Sequence, residues 1–206
     1  MVFRDRNEAG KLLAIRLRSY QNKKDALVLA VPRGGVVVGK ELSSFLNLPL
    51  GIIITQKISA PGNPELAIGA LGPDNVVVWN EDVLAQIGLT PEDLAPQIKN
   101  EKLKMQNYNE KFKKREISLA GKIIILTDDG IATGATMEAA IAWIKLQNPS
   151  KIVLAVPVAP PEVIEKLKPM VEELVCLEQP EFFSAVGQFY QEFEQVTDEE
   201  VVALLE

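Results

Sequence analysis

A short apolar run followed by two aspartates and a small-residue turn constrains the fold of this chain most. Residues 123–126 are Ile-Ile-Ile-Leu, a pattern typical of a strand that is buried on both faces of a sheet. Asp128 and Asp129 follow at its carboxyl end, and residues 130–136 are mostly small or hydroxyl-bearing. Apolar residues then recur three and four positions apart, which predicts a helix. This order predicts one strand–turn–helix unit of an α/β fold.

The turn has the chemistry of a site for a phosphorylated sugar. The N–H groups that open a helix have no partner within it, and the helix dipole favours an anion there. Gly134 and Ala135 let the backbone approach a phosphate closely, and Thr133 and Thr136 add hydroxyl donors. Two carboxylates beside an anion site make sense if the ligand also carries hydroxyls or a metal ion. A ribose phosphate fits, although a passive turn with solvated aspartates is the competing interpretation.

A second strand–turn–helix pattern lies near the amino terminus. Residues 26–31 are an apolar run, Pro-Arg-Gly-Gly follows, and residues 36–46 have a helical pattern. Residues 34–40 match most of a Walker A loop, with Gly, four residues and Gly-Lys. Glu41 stands where that loop needs Ser or Thr, and three valines make the stretch too apolar for a phosphate cradle. A nucleotide-triphosphate site is therefore not favoured here.

The central stretch resembles the phosphoribosyl-diphosphate (PRPP) signature of type I phosphoribosyltransferases. That signature is an apolar run, two acids, two or three residues, and then Thr-Gly, one residue and Thr. The resemblance implies that Asp128 and Asp129 hold the ribose hydroxyls and act in catalysis. The positions that it implies for the 5′-phosphate are Ile131, Ala132, Thr133, Gly134, Ala135 and Thr136.

The resemblance extends to the amino-terminal loop. It implies that Gly34 and Gly35 present N–H groups to diphosphate and that Arg33 adds charge. In this family a non-proline cis peptide often lies in that loop. Family members also place a mobile loop after the second strand, so residues 59–66 are a candidate lid that excludes water. Lys57 is the candidate cation that meets diphosphate at its start, in a catalytic role.

The implied reaction transfers the 5-phosphoribosyl group from PRPP to a nitrogenous base and releases diphosphate. Mg²⁺ is expected to bind mainly through substrate oxygens and water, with a minor share for Asp128 and Asp129. Ala132 stands where enzymes for 6-oxopurines often carry an aspartate, so the acceptor base stays open. Two alternatives are a PRPP-binding regulator without significant catalysis and an enzyme that makes PRPP or cleaves a related phosphoribosyl bond.

An aromatic tail segment is the candidate acceptor pocket. A planar base needs a stacking surface, and aromatic side chains provide one. We predict that this group helps to wall the pocket, with Phe183 and Tyr190 as leading candidates. Packing of the tail onto the sheet is the competing interpretation. The aromatic residues in this segment are Phe182, Phe183, Phe189, Tyr190 and Phe193.

Composition removes several functional classes. The chain has no histidine, which excludes Ser-His-Asp and Cys-His systems and histidine-ligated zinc. The lone Cys176 excludes an internal disulfide and is expected to be a buried, inert thiol. A net charge of −6 argues against general nucleic-acid affinity. Without a signal-peptide pattern or an apolar run of membrane-spanning length, we expect a cytoplasmic protein with no membrane partner.

Strands that alternate with helices predict a doubly wound, mainly parallel sheet with helices on both faces. The predicted strands are 26–31, 50–55, 76–79, 123–126, 151–156 and 174–177. We expect one domain, 1–206. Its parts are an N-terminal helix (1–22), a core (26–79 and 121–177), a helical insertion (80–120) and a small C-terminal hood or cover (178–206).

The insertion ends in a basic run at residues 111–115, interrupted by Phe112. This run predicts a solvated face, with a dimer contact or an anion-steering patch as alternatives. We expect a homodimer. Both predicted loops follow strands of the parallel sheet, so they are expected to form one site at its carboxyl edge.

Overall fold

Strands and helices alternate along most of the chain in a computed structural model that describes residues 1–112 and 118–206. The strands are β1 (Ala26–Ala30), β2 (Leu50–Ile52), β3 (Gln56–Ala60), β4 (Asn63–Leu71), β5 (Val77–Trp79), β6 (Ile123–Thr127), β7 (Lys151–Val158) and β8 (Glu173–Glu178). The helices are α1 (Arg6–Arg16), α2 (Gly34–Leu46), α3 (Glu81–Ile87), α4 (Ala95–Lys111), α5 (Ala135–Leu146), α6 (Pro161–Leu167) and α7 (Asp198–Leu205).

Five strands form the parallel sheet in the order β2-β1-β6-β7-β8. Successive side chains of a strand point to opposite faces, and β6 shows this directly. Ile123 and Ile125 pack with α1 and α2, whereas Ile124 and Leu126 pack with α5 and α6. The predicted doubly wound fold with helices on both faces is therefore confirmed.

The Walker-like glycine has a packing role. A Cβ added at Gly39 would lie 2.8 Å from the Cβ of Ala30 on β1 and 3.1 Å from Leu50 Cδ1 on β2. A contact of 2.8 Å is shorter than real Cβ contacts, so α2 needs a glycine where it crosses β1. Helix–sheet packing therefore explains the second glycine of the Walker-like pattern.

A second, antiparallel sheet contains β3, β4 and β5. The prediction of a loop over residues 59–66 is wrong, because they belong to a β3–β4 hairpin that turns at residues 61–62. Ile58 and Ala60 are buried while the residues between and before them are half-buried, which is the alternation of a strand. Residues 76–79 were expected in the parallel sheet, but β5 pairs with β4 instead.

Two helices are hydrogen-bonded to the antiparallel sheet and its connecting turn. Gln97 Nε2 on α4 donates to Ser59 O on β3 at 2.6 Å, and Trp143 Nε1 on α5 donates to Asp74 Oδ2, in the turn between β4 and β5, at 2.8 Å. The predicted helical insertion contains α3 and α4. Residues 113–115 of the predicted basic run lie outside the described residues.

The two ends of the chain meet. The predicted helix over residues 1–22 is shorter in the structure, since α1 begins after its cap Asp5 and ends at Arg16. Phe3 N donates to Phe189 O, and Gln191 N donates to Phe3 O, each at 2.8 Å. The C-terminal segment therefore lies against the N-terminal one, beside α1.

The structure also bears on the single cysteine and on the predicted lack of a membrane-spanning segment. Cys176 on β8 donates to Glu178 O at 3.1 Å, and burial raises the pKa of its thiol to about 11. Such a thiol stays protonated at neutral pH, which agrees with an inert role. Within the described ranges, none of the helices is both long enough and apolar enough to cross a bilayer.

Replacing Gly39 by alanine should lower the free energy of unfolding by about 1–3 kcal/mol, because the added methyl group has no room against β1. Urea denaturation measures this change. Ser44→Ala, at an exposed position of the same helix, is the matched control and should stay within about 0.5 kcal/mol of the parent. A neutral Gly39→Ala would show that the close contact does not limit stability.

Candidate functional site

The two predicted loops meet at the carboxyl edge of the parallel sheet. Strands β1 and β6 are neighbours in register, with Ala30 opposite Thr127, and Val31 N donates to Thr127 O at 3.0 Å. The peptide bond between Pro32 and Arg33 is cis, which the sequence left open. Because β1 and β6 end side by side, the loop after β1 lies directly against the acidic pair.

Two glycines make this contact possible. A Cβ at Gly34 would overlap the carboxylate of Asp129, and one at Gly35 would lie 2.8 Å from both Cα and Oδ1 of Asp128. The sequence indicated these glycines only as backbone that admits diphosphate. In the structure they also admit the two carboxylates, which any larger residue would displace.

The loop after the acidic pair ends in an uncapped helix. Gly134 is the N-cap of α5, with φ of 82°, and no side chain caps this end. The first helical hydrogen bond runs from Glu138 N to Gly134 O at 2.9 Å, so the three preceding N–H groups lie ahead of the helical bonds. Glu138 itself forms an ion pair with Lys166 at 2.7 Å. The amino-terminal end of α5 can therefore bind an anion.

The six predicted phosphate-loop residues differ in their surroundings. Ile131 is buried among the core residues, and its N–H donates to Val158 O at 2.9 Å, so this residue anchors the loop. Ala132 and Thr133 are exposed, while Thr136 is half-buried. Ile131 is thus occupied by the fold and Gly134 is buried as well, whereas the other four predicted residues keep exposed surface.

The acidic pair is electrostatically strained. Asp128 Oδ1 accepts a hydrogen bond from the backbone N–H of Asp129 at 2.8 Å. Burial raises the pKa of Asp128 well above its ordinary range, and the neighbouring charge of Asp129 adds to this, against the opposing charge of Arg6. The pair is therefore held together by the fold against its own repulsion.

Arg6 belongs to this site, and the sequence did not indicate it. Its Nε donates to Asp129 Oδ2 at 2.7 Å, from the first residue of α1. One signal was available in the sequence. Asp5 and Glu8 mark a helix start, and a cation in the first turn opposes the helix dipole. Such a locally unfavourable residue often has a partner elsewhere.

A cavity of about 380 Å³ joins the loop after β1 to the base of the hairpin. It is lined by Arg33 and Lys57, the predicted diphosphate residues, and by Thr136 of the predicted phosphate loop. Tyr108 on α4 and Phe112, the residue that follows this helix, complete the wall with rings stacked 5.7 Å apart, although the sequence indicated them only as an apolar stripe. The full lining is Pro32, Arg33, Ile54, Thr55, Gln56, Lys57, Tyr108, Phe112 and Thr136.

Thr133 faces elsewhere. With Ala135 it lines a second cavity of about 210 Å³, whose other wall includes Trp79 of β5 and Lys166 of α6. Arg33, besides lining the first cavity, lies 3.7 Å from Asp198 Oδ1 at the start of α7. The start of α5 therefore separates two cavities, and the phosphate loop contributes to both.

The predicted acceptor residues form a packed cluster. Tyr190 is only 6% exposed, and its hydroxyl donates to Asp129 O at 2.5 Å. Phe183 is half-buried against Phe189, with ring centroids 5.2 Å apart, whereas Phe182 is 89% exposed. Tyr190 thus ties the tail to the acidic pair, and the acceptor pocket stays a prediction.

The donor set suits a metal ion that arrives with the substrate. Within residues 1–112 and 118–206, no group of three or more potential ligating side chains converges. Asp128 and Asp129 are two hard oxygen donors, and one of them is paired with Arg6. Mg²⁺ retains several waters and substrate oxygens in such sites, so these residues fit it as minor ligands.

Asp128→Asn should raise the free energy of unfolding, and the gain should be larger at pH 7 than at pH 4. A raised pKa means that the folded chain holds this proton more tightly than the unfolded chain does. Ionisation therefore costs stability as the pH rises above the ordinary value of 3.8. Asparagine removes that cost and keeps the acceptor for Asp129 N.

Urea denaturation at the two pH values measures the gain. Asp129→Asn is the matched control, and it should lower stability because it leaves Arg6 without its carboxylate partner. A gain from Asp128→Asn that is equal at both pH values would contradict the assigned cause.

Comparison with known proteins adds independent information. A family model for the phosphoribosyl transferase domain matches residues 5–194. The crystal structure of TT1426 from Thermus thermophilus superposes with a TM-score of 0.85 at 38% identity, covering 100% of this chain and 98% of that one. A purine phosphoribosyltransferase from Pyrococcus horikoshii Ot3 shares the fold, with a TM-score of 0.51, 19% identity, and 93% and 92% coverage.

Curated relatives include two Mycobacterium tuberculosis proteins, from strains CDC 1551 / Oshkosh and ATCC 25618 / H37Rv, each named “Putative phosphoribosyl transferase”. Each is 40% identical over 207 residues, which covers 100% of this chain and 46% of the relative. The chain thus spans about half the length of the curated relatives it matches.

The matched family region contains both loops of the site and the acidic pair between them. It also contains Arg6 and the tail residues that contact the pair. The architecture and the sequence comparison agree, and the chain belongs to the phosphoribosyl transferase domain family.

Proposed function

We propose that this chain binds PRPP and transfers its 5-phosphoribosyl group to a nitrogenous base, with release of diphosphate. One observation carries the proposal. The loop after β1, the acidic pair and the uncapped start of α5 lie side by side at the carboxyl edge of β1 and β6. This places an acidic centre between two loops suited to anions, and PRPP has a diol between a phosphate and a diphosphate.

The proposed reaction is a substitution at carbon 1 of the ribose. A nitrogen lone pair of the acceptor forms the new bond to carbon 1, and the bond to the diphosphate oxygen breaks with its electrons leaving on diphosphate. A proton carried by the attacking nitrogen is released from the product. Positive charge develops on the ribose ring between these events, so carboxylates close to it lower the barrier.

Each part of the site has a proposed role in that step. Asp128 and Asp129 accept hydrogen bonds from the ribose hydroxyls and stabilise the developing positive charge. The 5′-phosphate binds the loop over residues 132–136 and the start of α5. Arg33 and Lys57, which share the larger cavity, meet the diphosphate. Mg²⁺ bound to the substrate would supply charge neutralisation of the leaving diphosphate, with the two aspartates as minor ligands.

A PRPP-binding regulator without significant catalysis is the second candidate. The observation in its favour is the ion pair between Asp129 and Arg6, at 2.7 Å. A paired carboxylate stabilises a cationic transition state less than an unpaired one does. A regulator of this type needs PRPP affinity and no acceptor.

Diphosphate release distinguishes the two candidates. The chain is incubated with PRPP, Mg²⁺ and each member of a panel of purine and pyrimidine bases. Acceptor-dependent release supports the transferase, whereas PRPP binding by calorimetry without release for any base supports the regulator. The homodimer and the cytoplasmic location stay predictions.

Thr133→Ala and Thr136→Ala should each weaken PRPP binding about tenfold. Each variant removes a hydroxyl donor to a charged acceptor, which is worth roughly 1.5–3 kcal/mol. Calorimetric titration of PRPP measures the change, with Thr90→Ala on the distant segment before α4 as the control. Because the two threonines line different cavities, a loss in only one variant would locate the 5′-phosphate in that cavity. Unchanged affinity in both would refute the loop assignment.

Asp128→Asn and Asp129→Asn should reduce turnover more than they reduce PRPP affinity. Both changes keep the size of the side chain and remove its charge, so they act most on the state in which positive charge has developed. Steady-state diphosphate release gives turnover, and calorimetry gives affinity. An equal loss in both quantities would restrict the aspartates to binding, and full activity would exclude them from the reaction.

A further inference from the structure

We infer that Arg6 is a positioning residue for ribose recognition, acting through the carboxylate of Asp129. The inference rests on the proposed PRPP function. Its first support is the placement of Arg6 on a fixed element. Asp5 caps α1 by accepting a hydrogen bond from Glu8 N at 2.7 Å, and Arg6 is the next residue. The Arg6 side chain is only 11% exposed.

The guanidinium is held on three sides. Nε donates to Asp129 Oδ2 at 2.7 Å, and Nη1 donates to the backbone oxygen of Glu194 at 2.9 Å. Cζ lies 3.8 Å from the centroid of the Phe193 ring. A planar guanidinium that donates to two acceptors and stacks on an aromatic ring loses little further conformational entropy when it binds a carboxylate. A lysine ammonium cannot donate to both acceptors in this geometry, and it has no planar group to stack on the Phe193 ring.

Arg6 reaches the diphosphate loop as well. A Cβ built on Gly34 would lie 2.8 Å from Arg6 Nε, so the arginine contacts this glycine and the acidic pair together. Tyr190 donates to Asp129 O from the other side. Asp129 is thus fixed at its carboxylate by Arg6 and at its backbone by Tyr190, which sets the direction from which a ribose hydroxyl must approach.

The competing explanation is that Arg6 only joins the two ends of the chain. The two explanations differ in which ligands should bind more weakly when the arginine is replaced. A positioning role through Asp129 affects a ligand with ribose hydroxyls and spares inorganic diphosphate, whose proposed contacts are Arg33 and Lys57. A general loss of structure weakens both ligands together.

The experiment compares PRPP and inorganic diphosphate, each with Mg²⁺, by calorimetric titration of the wild-type chain, Arg6→Gln and Arg6→Lys. We expect Arg6→Gln to weaken PRPP about tenfold and to leave diphosphate affinity within about twofold. Arg6→Lys keeps the charge and should lose about threefold, because it keeps one of the two donors. If Arg6→Gln does not fold, as judged by circular dichroism, Arg6→Lys is judged by the same comparison.

Arg4→Gln is the matched control, since this neighbouring arginine has a side chain that is 58% exposed and pairs with Asp5 away from the acidic pair. It should leave both affinities unchanged. A double-mutant cycle adds a second readout, because removing Arg6 in an Asp129→Asn background should cost little further PRPP affinity.

The outcomes separate the two proposals. The role of Arg6 would be overturned by any of three results, even if the wild-type chain binds PRPP. These are equal losses of affinity for PRPP and diphosphate, additive losses in the double-mutant cycle, and unchanged PRPP affinity in Arg6→Gln. Absence of PRPP binding by the wild-type chain would overturn the proposed function and this inference with it.

Discussion

The contact between Gly34-Gly35 and Asp128-Asp129 is the constraint on which the rest of the site depends. It requires β1 and β6 to be neighbours and parallel, since only then do the two following loops leave the sheet at the same edge. It also requires residues without a side chain on one loop, because a Cβ would overlap the carboxylates of the other. Gly34 and Gly35 are also the first two residues of helix α2, so the loop after β1 has little freedom to move away.

That contact brings an electrostatic cost with it. Burial and the adjacent charge raise the pKa of Asp128, so the folded chain holds a group that opposes folding at neutral pH. Arg6 offsets part of this cost with an ion pair, and Tyr190 and Glu194 bring the C-terminal segment to the same place. Sites that must stabilise charge in a ligand commonly carry such a stability cost.

Much of the fold followed from local patterns. Residues 123–126 are apolar at every position, which is typical of a strand covered on both faces. The parallel sheet was predicted because such strands alternate with helical patterns along the chain. The hairpin was missed because Pro61 and Gly62 suggested a loop on both sides of the turn, although the buried alternation ran up to Ala60. Arg6 was missed because its partner is 123 positions away, and no local pattern encodes such a pair.

The arrangement favours selectivity for a ligand that matches all three elements. The loop after β1 and the start of α5 suit anions, and the acidic pair between them repels anions and accepts hydroxyl groups. Inorganic phosphate or diphosphate would satisfy one loop while facing two carboxylates, so its binding is penalised. A ligand with hydroxyls between its phosphates instead donates hydrogen bonds to the two carboxylates. On this argument the acidic pair both disfavours simple anions and recognises ribose hydroxyls, and the hydrogen bonds to ribose are the part that depends on how Asp129 is oriented.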